Sequence, residues 1–200
     1  MRILIPIAIL IYLFSLVESV HSAVTPEFIR SLPPLPTAAV QELAKHENYP
    51  LATGKKYIVT VTSSNDIGYG VTPDEIEDAV AEGILPPGSK FPRRMTKEQA
   101  DNWYENVTLL TYRSIVRKTV KVPLSPEQEA ALVFFAQNTG KNNLKKLVNG
   151  PGRLNSGNYS SVVNVMPLYY EEDRPEKAGL QRRLRFMLAV YKGESFVRKV

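Results

Sequence analysis

Seven consecutive residues, Ala130-Ala131-Leu132-Val133-Phe134-Phe135-Ala136, carry no polar side chain on any face of the helix they would form. A helix that is apolar all round has to be buried on every side, so other elements must surround it. Its limits are written beside it. Ser125-Pro126-Glu127-Gln128 is a capping box with proline at the first helical position, and Asn138-Thr139-Gly140 supplies a stop. The remaining segments can then be read for what packs around a central helix.

Most of them are helical. Ala38 to Glu47 places Val40, Leu43 and Ala44 on one face and is ended by Tyr49-Pro50. A helix opens at Pro73 with Thr72 as its N-cap and acids in its first turn, and Gly83 stops it. Thr96-Lys97-Glu98-Gln99 is a second capping box, from which an amphipathic helix runs to about Thr119 with Trp103, Val107, Leu110 and Ser114 on one stripe. That stripe is read as core rather than as a ligand platform. Shorter helices are expected at Asn142 to Val148 and Tyr159 to Leu168. A final one, about Gly179 to Tyr191, should turn Leu180, Leu184, Met187 and Tyr191 inward.

One region breaks the helical pattern. Tyr57-Ile58-Val59-Thr60-Val61-Thr62 favours a strand, Ser63-Ser64-Asn65 a turn, and Ile67-Gly68-Tyr69-Gly70-Val71 a second, glycine-rich strand. The two glycines let the backbone turn sharply and come close to a ligand. The expected fold class is therefore α+β: a small β-hairpin lobe beside a mainly helical lobe around a buried central helix, with a cleft between them.

The ends and the composition bound the function. Arg2 precedes an apolar run from Ile3 to Val17, and Val20 and Ser22 suit a cleavage point before Ala23. Residues 1–22 are read as a cleaved signal peptide, or alternatively as a retained N-terminal anchor with transient membrane association; either implies export. Residues 23–36, with Pro26, Pro33, Pro34 and Pro36, are read as an extended linker, and 37–195 as the functional domain. The chain has no cysteine, so neither a disulfide nor a thiolate metal site can form, and its two histidines do not make a His-rich one. No metal or cofactor is expected. A net charge of +5 suits a polyanionic partner. Nothing resembles a basic recognition helix or a base-stacking motif, so that partner is not expected to be nucleic acid.

Several separate stretches, in order, resemble the phage-type lysozymes (glycoside hydrolase family 24). They are Ala39-Val40-Gln41-Glu42-Leu43-Ala44-Lys45-His46-Glu47, Ile67-Gly68-Tyr69-Gly70-Val71-Thr72, Met95-Thr96-Lys97-Glu98-Gln99-Ala100-Asp101, Val122-Pro123-Leu124-Ser125 with Glu127-Gln128, Phe134 to Gly140, and Gly179-Leu180-Gln181-Arg182-Arg183. Together they cover about residues 37 to 193. The resemblance implies a lysozyme-like fold and a monomeric muramidase of the endolysin type. Such an enzyme would cut peptidoglycan glycan strands in the periplasm or cell wall of a bacterial host.

The family's catalytic pattern is a glutamate ending the first helix, then an aspartate and a threonine on the hairpin, the threonine directly before Ile-Gly-Tyr-Gly. Glu47 matches the glutamate. Asp66 stands where the threonine is expected, Lys56 falls near the aspartate's place, and Thr60 and Thr62 lie in a lengthened strand. Glycoside hydrolysis needs an acid for the leaving oxygen and a second carboxylate to activate water, attack, or stabilise the oxocarbenium-like transition state. Glu47 is read as the general acid and Asp66 as the second carboxylate, with Thr60 or Thr62 positioning water. Tyr69, Asn138 and Arg182 are read as substrate-binding, Arg182 matching a family arginine that faces the glutamate. Two alternatives stay open: a lysozyme-like wall-binding or structural protein that has lost activity, and a related hydrolase acting on a chitin-like polymer.

Overall fold

The computed structural model describes residues 24–36, 59–60, 66–170 and 177–194. Glu47, Thr62, the helix expected at Ala38 to Glu47 and the N-terminal apolar run lie outside these residues.

The central helix, α5 (Pro126–Thr139), is as the sequence dictates. Ser125 accepts the Gln128 amide while the Gln128 side chain accepts the Ser125 amide, and Ala130 to Ala136 are all fully buried. Burying each of its large side chains is worth about 1.5–3 kcal/mol relative to exposure, so packing rather than helix propensity fixes this element. Three helices enclose it: α4 (Leu109–Thr119), α6 (Lys141–Val148) and α8 (Lys177–Tyr191). Phe186 and Met187 of α8 are buried against the same core. Gly140, at φ 85°, ends α5 and leads directly into α6. A short α7 (Ser160–Val165) and the 3-10 turn Met166–Tyr170 close the far side, where Phe135 meets Tyr169 and Tyr170 edge-on.

The helix begun at Thr96 is continuous but not regular. It runs as α3 (Lys97–Trp103), a π-helical turn at Tyr104–Thr108, and α4. Its stripe of Trp103, Val107, Leu110 and Ser114 is core, as expected, and packs mainly on α2 (Pro73–Ala81) and the residues just after it, Trp103 touching the main core as well. Val107, with Trp103 and Leu110 against it, packs on Ala79 and Ile84, while Ser114 donates to Glu82 Oε2 at 2.5 Å. Tyr104, Leu109, Tyr112, Ile115 and Val116 fill the main core instead. One helix thus serves two neighbours.

Two expectations are corrected. Residues 26–31 are not extended: Pro26–Ser31 form a helix, α1, that packs on α4. Thr25 caps it by accepting the Phe28 amide, Pro26 occupies the first position where it loses no hydrogen bond, and Ile29 is fully buried. The strand run also finds a different partner. Val59–Thr60 (β1) pairs antiparallel with Arg94–Met95 (β2), Val59 opposite Met95 and Thr60 opposite Arg94. Among the described residues the glycine-rich stretch pairs only with itself, through Ile67 and Val71, so the helical lobe is in place while no hairpin lobe is resolved.

Candidate active site

The glycine-rich turn is closed by two backbone hydrogen bonds between Ile67 and Val71, each 2.9 Å. Five residues can close this tightly because Gly68 and Gly70 take φ of 63° and 86°, conformations that cost a side chain about 1–2 kcal/mol. At Gly68 a Cβ would also touch Ala100 and Met95 at 3.4 Å, which seats the turn on β2 and α3. Thr72 leaves the turn as the N-cap of α2, accepting the Glu75 amide, with Pro73 next.

Between the glycines Tyr69 points inward. Its hydroxyl donates to Asp101 Oδ1 at 2.6 Å, and Asp101 Oδ2 takes Lys97 Nζ at 2.5 Å. Its ring lies tilted against Tyr104, centroids 5.3 Å apart. Burial, and then the bond to Asp101, push the phenol well above its ordinary pKa, so it stays a donor. Tyr69 is buried and its hydroxyl is committed. Its geometry is that of a bolt holding the turn to α3.

The far wall is the C-terminal end of α5. Gln137 Nε2 reaches the Tyr69 carbonyl at a long 3.5 Å, tying turn to helix. Gln137 Oε1 is buried and finds no donor among the described residues. One residue on, Asn138 Nδ2 donates to the Phe134 carbonyl at 2.9 Å, and its Oδ1 accepts Arg183 Nη1 at 3.2 Å. Arg183 is half-buried, whereas Arg182 points to solvent. Asp66, half-buried, enters the turn directly before Ile67. Of the expected site residues, Asp66 and Tyr69 share this turn. Asn138 stands at the end of α5, next to the Gln137 that ties that helix to the turn, Arg182 is exposed on α8, and Thr60 is a backbone position in β1.

Sequence reading missed Arg183, Gln137 and Asp101. Arg183 had a signal in the Arg182-Arg183 pair, but not one that says which arginine turns inward. Beneath the turn lies a further carboxyl, Glu75, buried in the first turn of α2, where Oε1 accepts Trp103 Nε1 at 3.2 Å and Thr108 Oγ1 at 2.7 Å. Burial dominates and raises its pKa to about 7, the two hydrogen bonds offsetting only part of this. Among the described residues no group of three or more His, Asp or Glu side chains could hold a metal ion, and no helix is long and apolar enough to cross a membrane.

No curated protein matches the chain. Among solved structures, an endolysin from Escherichia coli O157:H7 phage FAHEc1 shares the fold with a TM-score of 0.57 at 21% identity, over 83% of this chain and 98% of that one. The phage lysozyme family model matches residues 52–185, which takes in Asp66, the glycine-rich turn, Asn138 and Arg183 and begins just after Glu47. With well over half its length so matched, the chain belongs to the phage lysozyme family and is a glycoside hydrolase of the lysozyme type.

Proposed function

We propose that the chain is an exported muramidase that hydrolyses the bond between N-acetylmuramic acid and N-acetylglucosamine in peptidoglycan, with Glu47 as general acid and Asp66 as second carboxylate. The observation that carries this reading is the position of Asp66. It is half-buried at the mouth of a turn bolted to α3 by Tyr69 and tied to the end of α5 by Gln137. A carboxylate held on a fixed backbone can act at a reacting sugar without first being ordered. Thr60 or Thr62 positions water. Asn138 and Arg182 supply polar contact to the sugar, and Arg183, bonded to Asn138, can share the orienting role with Arg182. Tyr69 acts by holding the turn. Export is supported by the apolar run after Arg2 and the small residues before Ala23.

Product analysis on purified bare murein, with anomers resolved, tests the assignment on wild type, Glu47→Gln and Asp66→Asn. Loss of a general acid should lower turnover by about 10²–10⁴-fold, and Asp66→Asn should lower it comparably with the fold intact by circular dichroism. Full lysis by Glu47→Gln would remove Glu47 from the mechanism, and full lysis by Asp66→Asn would remove the second carboxylate. Retention of wild type on murein without release of reducing ends would establish the wall-binding alternative instead.

A further inference from the structure

A cavity of about 440 Å³ lies between α2, α4 and α6, lined by Glu82, Lys118, Lys121, Lys141, Lys145 and Asn149 among others. Four of these are lysines and none is arginine. Two are already committed: Lys118 of α4 pairs with Glu82, the C-cap of α2, at 2.7 Å, and Lys141 of α6 pairs with Asp78 of α2. Ser114 also donates to Glu82, so that carboxylate is neutralised within the wall. Lys121 and Lys145 make no ion pair among the described residues and leave the cavity with uncompensated positive charge.

A side chain outside the lining, Asn155, ties two lining segments together. Asn155 Oδ1 accepts the Lys121 backbone amide at 2.8 Å, and Asn155 Nδ2 donates to the Thr119 carbonyl at 2.9 Å. Backbone donor and backbone acceptor together fix which end of this amide is oxygen. Asn155 Nδ2 also donates to Asn149 Oδ1 at 2.8 Å, so the Asn149 oxygen is fixed as well and its Nδ2 is a donor without an acceptor among the described residues. The loop carrying Lys121 and the C-cap of α6 carrying Asn149 are thereby held together at the cavity.

A simpler account is that lysines complement the negative ends of helices, as Lys118 and Lys145 do in the last turns of α4 and α6. It does not cover Lys121, which belongs to no helix, or the orientation of Asn149. We propose that this cavity binds a phosphate oxyanion, as a free ester or as a lipid headgroup, through Lys121, Lys145 and the Asn149 amide. Lysine ammoniums are compact charges with three donors each, suited to a tetrahedral oxyanion, whereas planar carboxylate recognition favours the arginine fork. The volume admits a phosphate with a glycerol-sized substituent. The site uses none of the residues assigned to hydrolysis and stands apart from that reading.

Calorimetric titration of the full chain with inorganic phosphate and with glycerol phosphate tests it, alongside co-sedimentation with phosphatidylglycerol or phosphatidylcholine vesicles. Removing Lys121 and Lys145 together (Lys121→Gln with Lys145→Gln) should weaken binding about tenfold or more, as for loss of charge-assisted hydrogen bonds. A matched control at exposed positions outside the cavity, Lys146→Gln with Arg185→Gln, should change it less than twofold. Glu82→Gln removes the carboxylate from the wall and should strengthen binding severalfold. Co-sedimentation with phosphatidylglycerol that the cavity pair abolishes identifies a headgroup as the source; binding of the soluble esters alone identifies a free ester. No measurable binding by wild type, equal losses in the cavity and control pairs, or weaker binding by Glu82→Gln would each overturn the site.

Discussion

Two carboxylates are buried equally deeply in this helical body, Glu129 at 2% exposure and Glu75 at 1%, and they end in opposite states. Glu129 sits where α5 meets α4 and is gripped by two arginine forks. Arg113 and Arg117 each bring Nε to Oε1 and Nη2 to Oε2, at 2.6–3.3 Å. Burial alone would raise its pKa, but the hydrogen bonds and charges of Arg117 and Arg113 outweigh that and hold it below the usual carboxylate range. Glu75, at the junction of α2 with the π-helical turn, has an indole and a hydroxyl for its side-chain partners among the described residues, and burial leaves it at a pKa of about 7. The same cost of desolvation is answered in one place by charge and in the other by keeping the proton. The charged knot locks the two helices of the core to each other. The carboxyl that holds its proton up to near-neutral pH sits beside the turn that carries Asp66, in the first turn of the helix Thr72 caps.

The largest expected effect comes from breaking the charged knot. Glu129→Gln leaves Arg113 buried with no counter-ion, which should destabilise the fold by about 3–5 kcal/mol in urea unfolding at neutral pH. A loss within the range of exposed ion pairs, about 1 kcal/mol or less, would mean that the knot is solvated in solution. Its pH dependence has a definite sign. Because the folded pKa is depressed, Glu129's contribution is present above the unfolded value and is lost as pH falls through the folded one. The gap between wild type and Glu129→Gln should therefore close in acid.

The neutral carboxyl gives the opposite slope. With a folded pKa raised from 4.5 to about 7, the folded state holds the Glu75 proton over an interval where the unfolded chain has released it. The contribution is full below the unfolded value and is lost as pH rises through the folded one. Glu75→Gln keeps an oxygen for Trp103 and Thr108 and removes the titration. It should match wild type near pH 4 and exceed it by about 3 kcal/mol near pH 8. Parallel stability profiles for the two proteins would show that Glu75 is ionised and solvated, and the contrast with Glu129 would fall.

Neither state could have been read from the chain, although much around them could. The capping boxes at Thr96 and Ser125, the Thr72 cap and the buried α5 were legible because they depend on neighbours a few residues away. What failed was set at a distance. The four prolines of residues 26–36 spoke for an extended linker, yet α1 exists because Ile29 finds a place on α4. The strand at Val59 pairs with Arg94–Met95, a partner that alternation within the strand does not specify. The π-helical turn shifts helical phase in the middle of a regular pattern, so one stripe faces α2 and the next the core. At the candidate site the residue types were legible and their aim was not. Adjacent residues on a helix differ by about 100° in direction, and that alone separates Arg183, which bonds Asn138, from solvent-facing Arg182.

The smallest effect belongs to a third carboxylate that falls between the two extremes. Asp101 is part-exposed and shares its oxygens between one cation, Lys97, and one neutral donor, Tyr69. Tyr69→Phe removes the neutral partner and leaves the cation, so no buried charge is stranded and the cost should be only about 1–1.5 kcal/mol. The ring keeps its contact with Tyr104, so the turn should loosen without collapsing. If Tyr69 serves to hold the turn, the variant's KM on bare murein should stay close to wild type while its melting temperature falls. An unchanged melting temperature with a raised KM would put the hydroxyl on the sugar. It would also show Asp101 to be solvated like a surface carboxylate rather than placed between Glu129 and Glu75.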